Sequence, residues 1–349
     1  MPAPEETQQH SDAEWLVPCA AIVAVQMTLW FVAWRARLAY APLLTSYGLI
    51  ALAFFAFVVG AKLVVLIARA FRSGEARPLK LVWRLAVENR FRIIAAILGL
   101  QLLSFGSASF SALKGGIPHA IPFWLDLPLA RIEQPVWSAL YSSAGWSVPF
   151  FDHLYGTFLL THAFAVFGLL VSKPSALKSR ALVTLCLSWA VLGIAAAYVL
   201  SSAGPLFYDR LYGSHSYAEL DAMVLAHAPL TKMTADALWM SYSTNVATVA
   251  NGISAMPSMH VGLTLWLALV LKDTRVSILG WLYYALIWIG SVLLGWHYFA
   301  DGLVGSTGVF ALWKFAPALF VDAPLMAEWM RRPVSELRFK LSSSATEAP

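Results

Sequence analysis

Three residues in this sequence are of types that do chemistry and sit where an apolar chain gives no other reason to keep them. His260 lies in Ala255-Met256-Pro257-Ser258-Met259-His260, and His297 lies in Gly295-Trp296-His297-Tyr298-Phe299-Ala300-Asp301. Asp301 follows His297 by four residues, which on a helix places both on one face. A carboxylate behind an imidazole holds one tautomer and stabilises its cation, the arrangement of base and orienter used in nucleophilic catalysis. A second histidine can move a proton, because the ordinary imidazole pKa of about 6.5 is close to neutrality. Pro257 fits the beginning of a helix, whose first free N–H groups, together with the Ser258 hydroxyl, suit an anion such as a phosphoryl group. The same side chains admit two other readings: a hydrogen-bonded His–Asp pair with no reaction to perform, and a facial set of two histidines and a carboxylate holding a metal. His119, His153, His162, His215 and His227 read as amphipathic residues near a membrane boundary.

The elements that must position these residues follow from composition. Of 349 residues 59% are hydrophobic and 12% charged, against about 45–50% and about 25% in a soluble domain. That excludes a soluble enzyme, a disordered chain and a disulfide scaffold, and it predicts an all-α, polytopic membrane bundle. Uncharged runs cover 15–34, 38–61, 93–113, 153–172, 181–208, 237–271 and 276–296, and an eighth span over about 301–320 carries Lys314. About 20 residues at about 1.5 Å each cross a hydrocarbon core of about 30 Å. The expectation is therefore about eight transmembrane helices, and the absence of strand-like alternation argues against a barrel. Cys19 and Cys186 both fall inside predicted spans and suggest no structural disulfide. The acidic N-terminus, with Glu5, Glu6, Asp12 and Glu14 and no Lys or Arg before the first span, is unlike a cleavable signal peptide.

Charge orients the chain. The net charge of +5 lies between apolar runs rather than on one polar surface, which argues for membrane orientation and against nucleic acid. Arg69, Arg72, Arg77, Lys80, Arg84, Arg90 and Arg92 fill the loop after the second span, which the positive-inside rule assigns to the cytoplasm. Alternation then puts Lys173, Lys178 and Arg180, Lys272 and Arg275, and Arg331, Arg332, Arg338 and Lys340 on the same side. Both termini are expected in the cytoplasm, and His260, His297 and Asp301 at the extracytoplasmic side. Two longer outside segments remain, about 114–152 and 201–256. The first mixes Trp124, Trp137 and Trp146 with Asp126, Arg131 and Glu133, as an interfacial or re-entrant helix would. The organisation expected is two accessory helices and a basic loop over 1–92, a six-helix core over 93–320, and a disordered cytoplasmic tail over 321–349.

The motifs resemble those of the type 2 phosphatidic acid phosphatase superfamily: Pro257-Ser258-Met259-His260 followed by His297-Tyr298-Phe299-Ala300-Asp301. Within it, the branch containing inositol phosphorylceramide synthases is more similar, through Ser201-Ser202-Ala203-Gly204-Pro205-Leu206-Phe207-Tyr208 and the stretch from Asp126 through Pro149. The resemblance spans about 120–320. It implies a six-helix phosphatase-like core and a phosphoester reaction that needs no metal and no cofactor. By this resemblance His297 would attack phosphorus to give a phosphohistidine, Asp301 would orient it, and His260 would protonate the leaving oxygen. The chain departs from the better-known pattern in two places. It lacks Lys-x-x-x-x-x-x-Arg-Pro, and Gly290-Ser291 stands where Ser-Arg is expected. Both usual cationic phosphate clamps are thus missing, which leaves Arg210 and then Lys232 as candidates to hold phosphate beside Ser258.

The function expected is hydrolysis or transfer at a lipid-linked phosphoester on the extracytoplasmic face. The substrate would be a lipid phosphate or phospholipid, and for transfer the acceptor would be a lipid hydroxyl. Similarity to the synthase branch leans toward transfer of a phospho head group. A membrane transporter or lipid flippase is the alternative of another class, against which stand the absence of paired interrupted helices and of a charge at a clear midplane position.

Overall fold

The structure is a computed structural model and describes residues 10–41, 43–74, 77–249 and 252–320. The tail expected to be disordered, 321–349, lies outside the described residues. Among the described residues all regular structure is helical. Six stretches are long and apolar enough to cross a membrane: Ala13–Arg35, Leu44–Arg72, Arg90–Ala120, Asp126–Val171, Ala176–Val199 and Phe299–Leu319. Two shorter apolar helices, Met259–Leu271 and Ser277–Leu293, accompany them.

The N-terminal helices α1 (Ala13–Arg35) and α2 (Leu44–Arg72) both pack against α4 (Arg90–Ala120), with the short α3 (Pro78–Glu88) between. Gly99 lets the Trp15 ring of α1 come within what would be 2.5 Å of a Cβ, so the two helices approach closely. A buried ion pair of 2.7 Å joins Asp12 to Lys178. Lys178 also donates to the carbonyls of Leu170 and Ser172 at 3.0 and 3.1 Å, so the buried cation is fully partnered.

After α4 come α5 (Asp126–Ala144), α6 (Val148–Gly156) and α7 (Phe158–Val171), then α8 (Ala176–Leu187). The chain of α8 continues as a π-helical segment, Ser188–Ala196, and ends in α9 (Ala197–Val199). Three helices, α10 (Pro205–Tyr212), α11 (Ala218–His227) and α12 (Pro229–Thr244), occupy the second long polar segment. The last three are α13 (Met259–Leu271), α14 (Ser277–Leu293) and α15 (Phe299–Phe315).

The uncharged run 237–271 is divided, in keeping with the outside segment expected over about 201–256. α12 stops at Thr244, where Asn245 turns into the left-handed region at φ 58°, and α13 begins only at Met259. The reason is that uncharged is not apolar: Ser241, Ser243, Thr244 and Asn245 favour caps and turns over helix interiors. A difference concerns Lys114. The sequence reading starts an outside segment there, whereas α4 carries on through it to Ala120.

α13 is the axis on which the site is built. It packs against α8, α14 and α15, and Trp266 donates to the Ala181 carbonyl at 2.9 Å. Gly262 and Gly305 let α13 and α15 cross almost backbone to backbone. A Cβ on Gly262 would lie 3.0 Å from the Gly305 oxygen, and one on Gly305 would collide with the Ser258 carbonyl. This close crossing brings the N-terminus of α13, with His260, beside the N-terminus of α15, with Asp301.

Candidate functional site

The outer frame is the turn Ser201-Ser202-Ala203-Gly204-Pro205, held by one carboxylate. Asp126, at the start of α5, accepts from Ser202 Oγ at 2.9 Å and from the N–H groups of Ala203 and Gly204 at 2.9 and 3.1 Å. Gly204 has φ +92°, and a Cβ there would stand 2.7 Å from the Trp296 oxygen, so the position requires glycine twice over. The turn then grips both segments that carry the histidines. Ala255 N–H donates to the Ser202 carbonyl at 2.7 Å, ahead of His260, and Leu206 N–H donates to the Gly295 carbonyl at 2.9 Å, ahead of His297.

The inner frame is the N-terminus of α15. Asp301 is the third residue of a capping box and accepts the Tyr298 N–H at 2.9 Å. Glu133 of α5 accepts the next two N–H groups, from Phe299 and, at 3.0 Å, from Ala300. Ser258 N–H donates to the Asp301 carbonyl at 2.9 Å, tying the two helix starts together. His297 precedes the helix rather than riding on it, so it meets Asp301 through this cap and not through a shared helical face.

His297 Nδ1 stands 3.4 Å from Asp301 Oδ2. His297 is buried and Asp301 fully so, and neither Nδ1 nor Asp301 Oδ1 has a hydrogen-bond partner. The His260 and His297 rings lie 5.8 Å apart between centroids. His260 is itself held between the rings of Tyr155 and Phe158, at 4.7 and 4.3 Å. Burial first, and the Lys114 charge second, push the His297 pKa down to about 3, opposed by a hydrogen bond to the Ala255 backbone. The imidazole is thereby held neutral.

Both histidines line a cavity of about 310 Å³. Its polar lining includes Lys114, Asp152, Thr231, Thr234 and Ser254. Asp152 is already occupied: it accepts from Leu230 N–H at 2.9 Å, Thr231 N–H at 2.8 Å and Thr231 Oγ1 at 2.7 Å, capping α12. Among the described residues lining the cavity, the cation is Lys114, whose charge reaches both His260 and His297.

Of the residues singled out from sequence, His260, His297 and Asp301 come together here. Ser258 is fully buried outside the cavity lining, and its Oγ is taken by the Val261 N–H at 3.3 Å. Arg210 and Lys232 are not brought to the cavity: they bind Asp236 at 3.0 and 2.6 Å. Lys232 first, then Arg210, holds the Asp236 carboxyl below its ordinary pKa. The reason is helical phase: Thr231, Thr234 and Leu238 turn one face of α12 to the cavity, leaving Lys232 and Asp236 on another. Lys114 was missed because the third span was ended one residue short of it; its signal is a lysine followed by Gly115-Gly116 inside an apolar helix. Among the described residues no three or more His, Cys, Asp or Glu side chains converge as a metal cage would.

A polytopic helical bundle with an Asp-backed histidine beside a second histidine at one cavity has the form of a membrane phosphoesterase. The chain belongs to the PAP2 superfamily, whose sequence profile matches residues 131–315, a little over half its length. Members of that superfamily are generally phosphoesterases. The match contains His260, His297 and Asp301, while Lys114 and Asp126 precede it. No curated protein and no solved structure matches the chain.

Proposed function

We propose that this protein cleaves a lipid-linked phosphoester on the extracytoplasmic face of a membrane, through a phosphohistidine and without a metal. The observation that carries the reading is the pairing of His297 with Asp301 at 3.4 Å, facing His260 at 5.8 Å, in a cavity that also holds Lys114. His297 attacks phosphorus through Nε2, the ring nitrogen away from Asp301, once that nitrogen leaves the Ala255 backbone and Nδ1 carries the proton toward Asp301. The P–N bond forms as the P–O bond to the leaving group breaks, and His260 gives that oxygen its proton. Asp301 stabilises the positive imidazole, which is otherwise costly in so buried a place. In the second half, His260 takes the proton from the incoming hydroxyl, which attacks phosphorus and breaks the P–N bond. Lys114 stabilises charge on the phosphoryl oxygens, the part for which Arg210 and Lys232 are the alternatives carried over from sequence. The extracytoplasmic placement rests on the basic loops at the other ends of the helices.

A second reading, transfer to a lipid hydroxyl, is favoured by one feature: the walls beside a buried His297 are largely aromatic and aliphatic, which suits an acceptor carried on an apolar chain. Similarity to the inositol phosphorylceramide synthase branch also supports it. Purified protein in lipid nanodiscs should be given a panel of lipid phosphates and phospholipids, with and without ceramide or diacylglycerol, in buffer containing EDTA. Release of free phosphate supports hydrolysis, and a new phospholipid supports transfer. Activity restored only by an added divalent ion contradicts the metal-free step. No turnover of any phosphoester contradicts the enzyme reading and favours a transporter or flippase.

A further inference from the structure

The cavity extends below the level of the reacting groups. α4 rises toward the site, so Phe110 lies one turn, about 5.4 Å, deeper in the bilayer than Lys114 and on the same face. The π-helical segment rises in parallel, with Trp189 and Gly193 deeper than Ala197. All five residues line the one cavity. The deep end is closed by the Phe110 and Trp189 rings, 4.5 Å apart. Phe110 rests on the bare Cα of Gly193, where a Cβ would be 2.8 Å from Phe110 Cε2 and 3.5 Å from Trp189 Cε3. At the side, Leu159 lines the cavity and is 69% exposed, so the space opens there onto the lipid-facing surface. A volume of about 310 Å³ lies at the small end of ligand sites, about 300–1,000 Å³. It holds a phosphoryl group and the first part of one chain, not a whole lipid.

We infer that Gly193 determines specificity: by leaving Phe110 seated against the π-helical segment, it keeps open a slot into which a single unbranched apolar chain descends from the phosphoryl group at Lys114. The inference rests on the phosphoesterase reading for the place of the phosphoryl group. The chain takes this path because the walls are apolar, they are built from α4 and the π-helical segment packed side by side, and the remainder of the chain can leave past Leu159 into lipid. A side chain at 193 moves Phe110 toward the empty side, which is the slot.

The test compares hexadecyl phosphate with propyl phosphate. Gly193→Ala should lower the ratio of their kcat/KM values by about tenfold or more, as expected when a few methylenes lose their pocket. Phe110→Ala, which removes the moving ring, should instead raise turnover of a branched polyprenyl phosphate relative to hexadecyl phosphate. A ratio unchanged in Gly193→Ala, or both variants slowing all substrates alike, overturns the inference. A hexadecyl phosphate with a photoreactive group near its first carbons should label the peptides holding Phe110 and Trp189, and labelling elsewhere overturns it independently. Labelling at the slot without turnover by the wild type sinks the phosphoesterase reading while leaving the slot standing.

Discussion

At the scale of the residue, the proposed reaction depends on keeping a histidine neutral and giving its future cation a partner. Burial favours the first, and Asp301, buried with one oxygen unpartnered, is placed for the second. Lys114 is the group that distinguishes this site from what the sequence suggested. Lys114→Ala should lower kcat/KM on a lipid phosphate by about a hundredfold, the order seen when a positioned donor to a developing anion is removed. Arg210→Ala and Lys232→Ala should each stay within about twofold, because their charges are spent on a partly exposed pair with Asp236. Steady-state kinetics of the three variants decide this: a large loss in Arg210→Ala with little in Lys114→Ala would reverse the assignment.

At the scale of the element, the histidines are set by helix starts and by one glycine crossing. α13 and α15 meet at Gly262 and Gly305, and the Ser258–Asp301 backbone bond of 2.9 Å fixes the register between them. Gly305→Leu should therefore cut kcat by about a hundredfold or more with helical content retained, because about 1 Å of misplacement costs that much. Circular dichroism and kinetics on one preparation test it; near-normal kcat would show that the crossing does not set the site. The chemistry-bearing residues were legible because charge is scarce in this chain, so an Asp and two histidines stand out against apolar helices. Their framing was less so. That Asp126 clamps the Ser201–Pro205 turn, and through it both histidine segments, depends on pairings separated by about 75 residues, which no local pattern encodes. The end of α4 was misplaced because absence of charge was used as the marker of a span. Polar uncharged residues end helices without adding charge, and a lysine can continue one.

At the scale of the whole molecule, composition alone defined an all-helical membrane bundle, and the folded chain has six helices long enough to span with two shorter apolar ones beside them. The extracytoplasmic side proposed for the cavity rests on the basic loops and is directly measurable. Cys19 and Cys186 are both buried, so a new surface cysteine can be labelled with low background. An impermeant maleimide should label Ser216→Cys in intact cells and Thr274→Cys only after permeabilisation. The reverse pattern would put the site on the cytoplasmic side.

The central claim is that His297 carries the phosphoryl group. Brief incubation of the protein with a phosphorus-32-labelled lipid phosphate, followed by denaturation, tests it most directly. The account predicts protein-bound label that is stable to base, labile to acid, located on the peptide containing His297, and absent from His297→Ala. Label that persists in His297→Ala, or that maps to another residue, would contradict it.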